Sequence, residues 1–156
     1  MSFMFMLCFE LEYLDLPNFN ITNVTSISSM FCFCTHLKEI KGIEKLHSNR
    51  LISMGGMFEC CEQLECLDLS NFNTSNVINM SFLFSLCHGL KEIKRLNKFN
   101  TSNVKNMSFM FASCSNLKYL DLSNFDTSNV DKMFGIFPGC KKLIFIKGIN
   151  TFKSNI

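Results

Sequence analysis

The chain has no tryptophan and is poor in the residues that most often punctuate loops, with only 2 prolines and 7 glycines in 156 residues. It has no uninterrupted apolar run of about 18 residues, so no segment predicts a membrane-spanning helix. It also lacks a strong charge of either sign. The formal net charge of +2 is too small to indicate nucleic acid or an anionic membrane as a partner. A chain of this length that is 47% hydrophobic is expected to fold as one globular domain with a sizeable core.

What the chain does contain is repetition, carried by 18 phenylalanines, 10 methionines and 9 cysteines. The string LDLSNFNTSNV at 67–77 returns as LDLSNFDTSNV at 120–130 and as LDLPNFNITNV at 14–24. Aligning such strings gives six units in which a shorter spacing alternates with a spacing that is longer by a single residue. The units begin at Met1, Ile27, Met54, Met80, Met107 and Met133. We interpret residues 1–156 as one repeat domain whose duplication unit is a pair of repeats, one short and one long.

Three positions of the unit hold the same residue in all six copies. Phenylalanine stands four residues after the start of each unit, at Phe5, Phe31, Phe58, Phe84, Phe111 and Phe137. Cysteine stands seven residues after it, at Cys8, Cys34, Cys61, Cys87, Cys114 and Cys140, and leucine stands ten residues after it. A unit this short cannot bury its apolar face alone, so we expect neighbouring units to stack and the phenylalanines to form a continuous spine.

The local hydrophobic period predicts a strand, a turn and a short helix in each unit. In LECLDL at 64–69, apolar and polar residues alternate as they do in a short strand. The apolar residues that follow are spaced three and four residues apart, which favours one face of a helix. Asparagine and serine between them are expected to make the turn and cap the helix. The predicted fold is an α/β solenoid of the leucine-rich repeat type. It has about six coils of 26 or 27 residues, a parallel β-sheet on the concave face and short helical segments on the convex face.

The consensus L-x-x-L-D-L-S-N-F-D-T-S-N-V, followed by M-F-x-x-C-x-x-L, closely resembles the BspA-like leucine-rich repeat family of bacterial and protist surface proteins. The resemblance covers essentially the whole chain. It implies a leucine-rich repeat fold, a location at the cell surface or outside the cell, and adhesion to host or matrix proteins. No catalytic residues belong to the motif. The resemblance therefore implies a non-enzymatic protein-binding module, with a structural spacer or stalk that has no ligand of its own as the alternative.

The first eight residues, MSFMFMLC, are compatible with a secretion signal, a lipid-modified N-terminus or ordinary structure. They lack the basic segment that begins a signal peptide, and they match MSFLFSLC at 80–87 and MSFMFASC at 107–114. We therefore interpret them as part of the first repeat and predict no signal peptide in this chain. Since neither end supplies a polar cap, we expect a fragment or truncated product of a longer array; if the chain is complete, we expect end-to-end self-association instead.

The cysteine column has the spacing of a disulfide or metal framework. Side chains in register on stacked units point the same way, however, which favours reduced, buried thiols. The CFCTH string holds Cys32, Cys34 and His36, but a structural zinc site needs a second pair of ligands that the chain does not supply. The serines and aspartates are repeated turn and capping residues, and no hydrolase, Walker or dinucleotide-binding motif occurs. We predict no enzymatic activity, no cofactor and no metal site.

The exposed strand positions form the candidate binding surface. One of these positions alternates in charge from unit to unit, which would stabilise neighbouring strands and could serve register and solubility alone. The position two residues earlier carries three aromatic residues, the kind of side chain that anchors protein interfaces. We predict that this concave face contacts a protein ligand from a host, a matrix or a second copy of the chain, without nucleic acid or membrane insertion. Its candidate residues are Tyr13, Asp15, Glu39, Lys41, Asp68, Glu92, Lys94, Tyr119, Asp121, Phe145 and Lys147.

Overall fold

One short strand recurs in every unit of the computed structural model, which describes residues 1–152. The strands are β1 (Tyr13–Asp15), β2 (Glu39–Lys41), β3 (Cys66–Asp68), β4 (Glu92–Lys94), β5 (Tyr119–Asp121) and β6 (Phe145–Lys147). A 3₁₀ helix follows every second strand, at Ile43–Lys45, Leu96–Lys98 and Ile149–Thr151. The middle residue of each strand is buried or half-buried, and the first and third are exposed or half-exposed. This is the alternation expected of a strand with one face on the core.

The strands pair two by two and do not form the continuous concave sheet predicted from the sequence. β1 pairs with β2, β3 with β4, and β5 with β6, and all three pairs are parallel. The predicted leucine-rich repeat solenoid is therefore wrong. Within residues 1–152 the strands make three separate two-stranded sheets.

Pairing is interrupted where the longer units carry their extra residue. The steps between unpaired neighbours, from β2 to β3 and from β4 to β5, are each longer by a single residue than the steps between paired strands. Directly after β2, Gly42 adopts a left-handed conformation with φ of 82° and leads into the first 3₁₀ helix. That helix contacts β3, and the second 3₁₀ helix contacts β5 in the same way. A 3₁₀ turn therefore lies beside the next strand at the place where the ladder of strands stops.

The convex helical segments predicted from the sequence are also wrong, because no α-helix occurs in residues 1–152. The third and seventh residues of every unit have positive φ, which an α-helix does not tolerate. These residues are Phe3, Leu7, Ser29, Phe33, Gly56, Cys60, Phe82, Leu86, Phe109, Ser113, Gly135 and Gly139. Short turns replace the helix, as where the N–H of Cys34 donates to the carbonyl of Phe31 at 3.1 Å. Successive turns of this kind place apolar side chains inward at steps of three and four residues. This is the same spacing as on one face of an α-helix.

The backbone of these turn segments joins each unit to the next. The N–H of Phe31 donates to the carbonyl of Met57 at 2.9 Å, and the N–H of Phe58 donates to that of Leu83 at 3.1 Å. Parallel single-residue bridges also run without interruption through Ser26, Ser53, Asn79, Asn106 and Lys132. An α-helix would use these N–H groups within its own segment. Here they satisfy the carbonyls of the next unit, so the backbone itself holds the stack together.

The predicted phenylalanine spine is confirmed. Its six rings stack consecutively, with centroids 5.5 to 5.9 Å apart and interplanar angles of 2 to 16°. The four central rings are at most 1% exposed, and Phe5 and Phe137 are half-buried. Offset stacked rings at this separation add to the stabilisation that comes from burying their apolar area.

The prediction that asparagine and serine make the turns is also confirmed. The side-chain oxygen of Asn73 accepts from the N–H of Ser75 at 3.0 Å, and that of Asn100 accepts from the N–H of Ser102 at 3.0 Å. Such local bonds let a polar side chain fix a turn without glycine or proline. Amides also link successive units, as where Nδ2 of Asn76 donates to the carbonyl of Asn49 at 3.0 Å.

A Gly42→Ala substitution is expected to lower the free energy of unfolding by about 2 kcal/mol. Gly42 has positive φ, and an added Cβ would lie 2.8 Å from the carbonyl oxygen of Leu16. Arg95 occupies the equivalent place after β4 with φ of 62°. Arg95→Gly is therefore expected to raise the free energy of unfolding by about 0.5 kcal/mol, since glycine adopts this conformation at lower cost. Urea denaturation of both variants measures the two changes, and changes of the same sign would contradict the explanation.

Candidate functional site

All eleven candidate residues lie at the first or third position of a strand. Within each sheet an aspartate and a lysine are partners in register: Asp15 with Lys41, Asp68 with Lys94, and Asp121 with Lys147. The last pair is an ion pair of 3.4 Å between Nζ and Oδ2. The structure therefore brings the candidate residues together in three sets, one on each two-stranded sheet.

Three aromatic side chains on these sheets are largely exposed. Tyr13 is 63% exposed, Tyr119 61% and Phe145 57%. Tyr119 and Phe145 are partners in register on β5 and β6, so they form an adjacent pair. Tyr13 lies on β1, where Nζ of Lys38 is 5.7 Å from the centroid of its ring. The candidate surface thus has one aromatic group on the first sheet and a pair on the third.

Two of the strand aspartates also have a local structural role. Oδ1 of Asp68 accepts from the N–H of Ser70 at 3.0 Å, and Oδ1 of Asp121 accepts from the hydroxyl of Ser123 at 2.6 Å. These bonds to serine hold the pKa of both carboxyl groups below the usual value. Asp68 and Asp121 therefore help to close the turn after the strand in addition to facing lysine.

Two ion pairs beside the strands were not predicted from the sequence. Lys38 Nζ lies 2.8 Å from Oε2 of Glu12, and Lys91 Nζ lies 2.7 Å from Oε1 of Glu65. The bond to Lys38 lowers the pKa of the Glu12 carboxyl and raises the pKa of the Lys38 ammonium. Each pair joins the two units that share a sheet, immediately before the paired strands begin.

A cleft of about 870 Å³ opens between β2 and β3, where the strands do not pair. Four of the candidate residues line it, namely Tyr13, Glu39, Lys41 and Asp68. Its further charged lining residues, Lys38, Glu44 and Glu65, were missed by sequence reasoning. The alternation of shorter and longer units was the available signal, because the extra residue marks the step at which the sheet is interrupted.

The cysteines of the column are free thiols, and five of the six donate a hydrogen bond to a backbone carbonyl. Sγ of Cys61, Cys87 and Cys114 lies 3.0 to 3.2 Å from the carbonyl oxygen of the spine phenylalanine in the preceding unit. Burial raises the pKa of all three thiols, and it raises the pKa of Cys34 to about 11. The predicted burial of the column is confirmed for these four cysteines, whereas Cys8 is exposed and Cys140 half-buried.

The residues of the CFCTH string point to structural roles. Nδ1 of His36 lies 2.7 Å from the carbonyl oxygen of Phe9, and Sγ of Cys32 donates to Oε2 of Glu59 at 3.7 Å. Burial raises the pKa of the Cys32 thiol to about 12, which keeps it protonated and unreactive at neutral pH. Within the described residues 1–152, no three histidine, cysteine, aspartate or glutamate side chains converge as metal ligands.

Stacked equivalent units with inward columns of phenylalanine and cysteine define a tandem-repeat protein. The chain belongs to the family described as "Mycoplasma protein of unknown function, DUF285", whose family model matches residues 1–97 and 53–155. The two matches overlap and start about one repeat pair apart, which agrees with internal duplication. No curated protein and no solved structure matches the chain. In the part of the chain that the structure describes, no helix has the length and apolarity needed to cross a membrane.

Proposed function

We propose that the protein is a non-enzymatic protein-binding module of a surface or adhesion protein, and that its ligand contacts the exposed strand face. The observation that carries the proposal is the exposure of 57 to 63% at Tyr13, Tyr119 and Phe145. The fold does not require aromatic residues at these places. The equivalent first positions of β2 and β4 hold Glu39 and Glu92.

The arrangement of charges supports the same proposal. Exposed aromatic side chains beside charged ones provide anchors and a polar rim, which is the composition that protein interfaces favour. The resemblance to BspA-like surface proteins supports a location at the cell surface and a protein from a host, a matrix or a second copy of the chain as ligand. Membership of a repeat family agrees with this role, because repeats of this kind present extended surfaces.

The proposal is tested by panning a phage-displayed random peptide library on the purified protein. Enriched peptides are synthesised, and their dissociation constants are measured by fluorescence anisotropy. Tyr119→Ser combined with Asp121→Asn is expected to weaken their binding at least tenfold, since an exposed aromatic anchor is lost. The asparagine keeps an oxygen acceptor for Ser123, so circular dichroism should show an unchanged fold.

Ile78→Ser provides the matched control. Ile78 is 46% exposed but lies outside the strands, beside the bridge residue Asn79. Its replacement is expected to change the affinity of the selected peptides less than twofold. Failure to enrich any peptide, or peptides that respond to Ile78→Ser and not to the Tyr119 variant, would favour the alternative of a structural spacer.

A further inference from the structure

The cleft between β2 and β3 combines an open shape with a charge imbalance. Its lining includes two lysines, Lys38 and Lys41, and four acidic residues, Glu39, Glu44, Glu65 and Asp68. Lys38 is already paired with Glu12 at 2.8 Å, and Glu65 is already paired with Lys91 at 2.7 Å. The remaining lining charges are three carboxylates and Lys41. The cleft is therefore acidic, although the whole chain carries a formal charge of +2.

Two of these carboxylates have no ion-pair partner among residues 1–152. The ion pairs of that part of the chain involve Glu12, Glu65 and Asp121, and neither Glu39 nor Glu44 takes part in one. Glu39 is exposed at the first position of β2, and Glu44 is half-exposed on the 3₁₀ helix that follows it. Both side chains are thus available to an incoming cation.

The next repeat pair shows that the fold does not dictate this acidity. The same lining positions recur one repeat pair further along the chain, at the step from β4 to β5. There the charged residues are four lysines and one arginine against Glu92 and Asp121. Arg95 and Asn97 stand where Gly42 and Glu44 stand in the first step, and Lys118 stands in place of Glu65. Since both steps have the same backbone plan, the acidic character belongs to the first step alone.

Two lining positions of the first step hold smaller residues than the same positions of the second step. Gly42 has no side chain, and Cys66 stands where the second step has Tyr119. Tyr13 supplies an aromatic wall at one side of the cleft. A tyrosine ring beside carboxylates suits a guanidinium or ammonium group, because the ring face and the anions both attract the cation.

We propose that this cleft docks arginine or lysine side chains of a basic segment in a protein partner. The proposal rests on the proposed protein-binding function and names the chemistry that its strand face selects. Glu39 and Glu44 bind the cationic groups, Asp68 adds to the negative field, and Tyr13 packs against the side chain. The second step, with its excess of lysine and arginine, repels the same segment and so fixes which end of the face it occupies.

The test uses a fluorescein-labelled hexa-arginine peptide and anisotropy titration of the full chain at physiological salt. Glu39→Gln combined with Glu44→Gln is expected to weaken binding at least tenfold. Glu10→Gln combined with Glu62→Gln is the matched control, because it removes two exposed carboxylates outside the cleft and changes the net charge equally. It is expected to change the dissociation constant less than twofold. A labelled hexa-glutamate peptide is expected not to bind.

Equal weakening by the two double variants would overturn the proposal, since it would show only general charge attraction. Absence of saturable hexa-arginine binding would overturn it as well. A third outcome would overturn the cleft proposal alone. In it, the selected peptides contain no basic residues, the Tyr119 variant weakens their binding, and Glu39→Gln with Glu44→Gln leaves their binding unchanged. In a fourth outcome, the library selection yields no peptide while hexa-arginine binds and the cleft variant abolishes that binding. This result would overturn the proposal that the whole strand face binds a protein and would support the cleft proposal.

Discussion

A Phe84→Ala substitution is expected to lower the free energy of unfolding by about 3 to 5 kcal/mol, the range for removing a fully buried phenylalanine. Phe84 is 0% exposed and stacks between Phe58 at 5.9 Å and Phe111 at 5.5 Å. Alanine would leave a cavity in the spine and remove the ring contacts with the preceding unit and with the next unit. Urea denaturation followed by circular dichroism measures the change.

Phe82→Ala is the matched control for this prediction. Phe82 lies two residues away in the same unit, is 38% exposed and stacks on Phe109 at 5.0 Å. Its loss is expected to cost about 1 kcal/mol or less, since a half-exposed stacked pair contributes far less than a spine residue. Similar losses from the two substitutions would show that the stacked column is not the main source of stability.

Raising the pH above about 8.5 is expected to destabilise the protein by about 4 kcal/mol per pH unit, from three cysteines alone. Cys61, Cys87 and Cys114 are 0% exposed, and burial holds the pKa of each thiol well above its ordinary value. In the unfolded chain these thiols lose their protons above about pH 8.5, whereas in the folded protein they keep them. The unfolded state then binds fewer protons, so stability falls as pH rises.

The pH range of this loss is set by the thiol pKa values of the unfolded and folded states. The contribution of the thiols is fully present below about pH 8.5 and is lost as pH rises toward the folded pKa, which is about 11 for Cys34. Urea midpoints between pH 7 and 10, measured with a reducing agent, give the slope. Cys87→Ala is expected to reduce that slope by about 1.4 kcal/mol per pH unit. An unchanged slope in Cys87→Ala would contradict the assignment.

The stacked columns were predictable because recurrence within one chain identifies equivalent positions. Phe31, Phe58 and Phe84 occupy the same place in successive units, and stacking is the only way for such short units to bury them. The eleven candidate residues were likewise placed on strands by simple alternation of apolar and polar residues. Both inferences depend only on side-chain pattern, which the sequence states directly.

The helices were mispredicted because hydrophobic spacing does not report the sign of φ. Val77, Met80 and Phe84 have the spacing of one helical face, yet Phe82 between them has φ of 57°. Glycine usually signals a left-handed position, but nine of the twelve such positions in the turn segments carry another residue. The glycines that would have indicated positive φ were therefore absent from most of these positions. The inter-unit hydrogen bonds that hold these residues in place are not visible in a sequence.

The sequence by itself determined the repeat length, the inward columns of phenylalanine and cysteine, and which strand residues lie on the outer face. Only the tertiary structure decided which backbone groups are hydrogen-bond partners, and hence that the strands pair two by two and leave a cleft after Gly42. The physical reason is that side-chain burial follows local period. Whether neighbouring strands pair depends instead on the backbone between them. The connections from β2 to β3 and from β4 to β5 are one residue longer than the others, and there the strands do not pair.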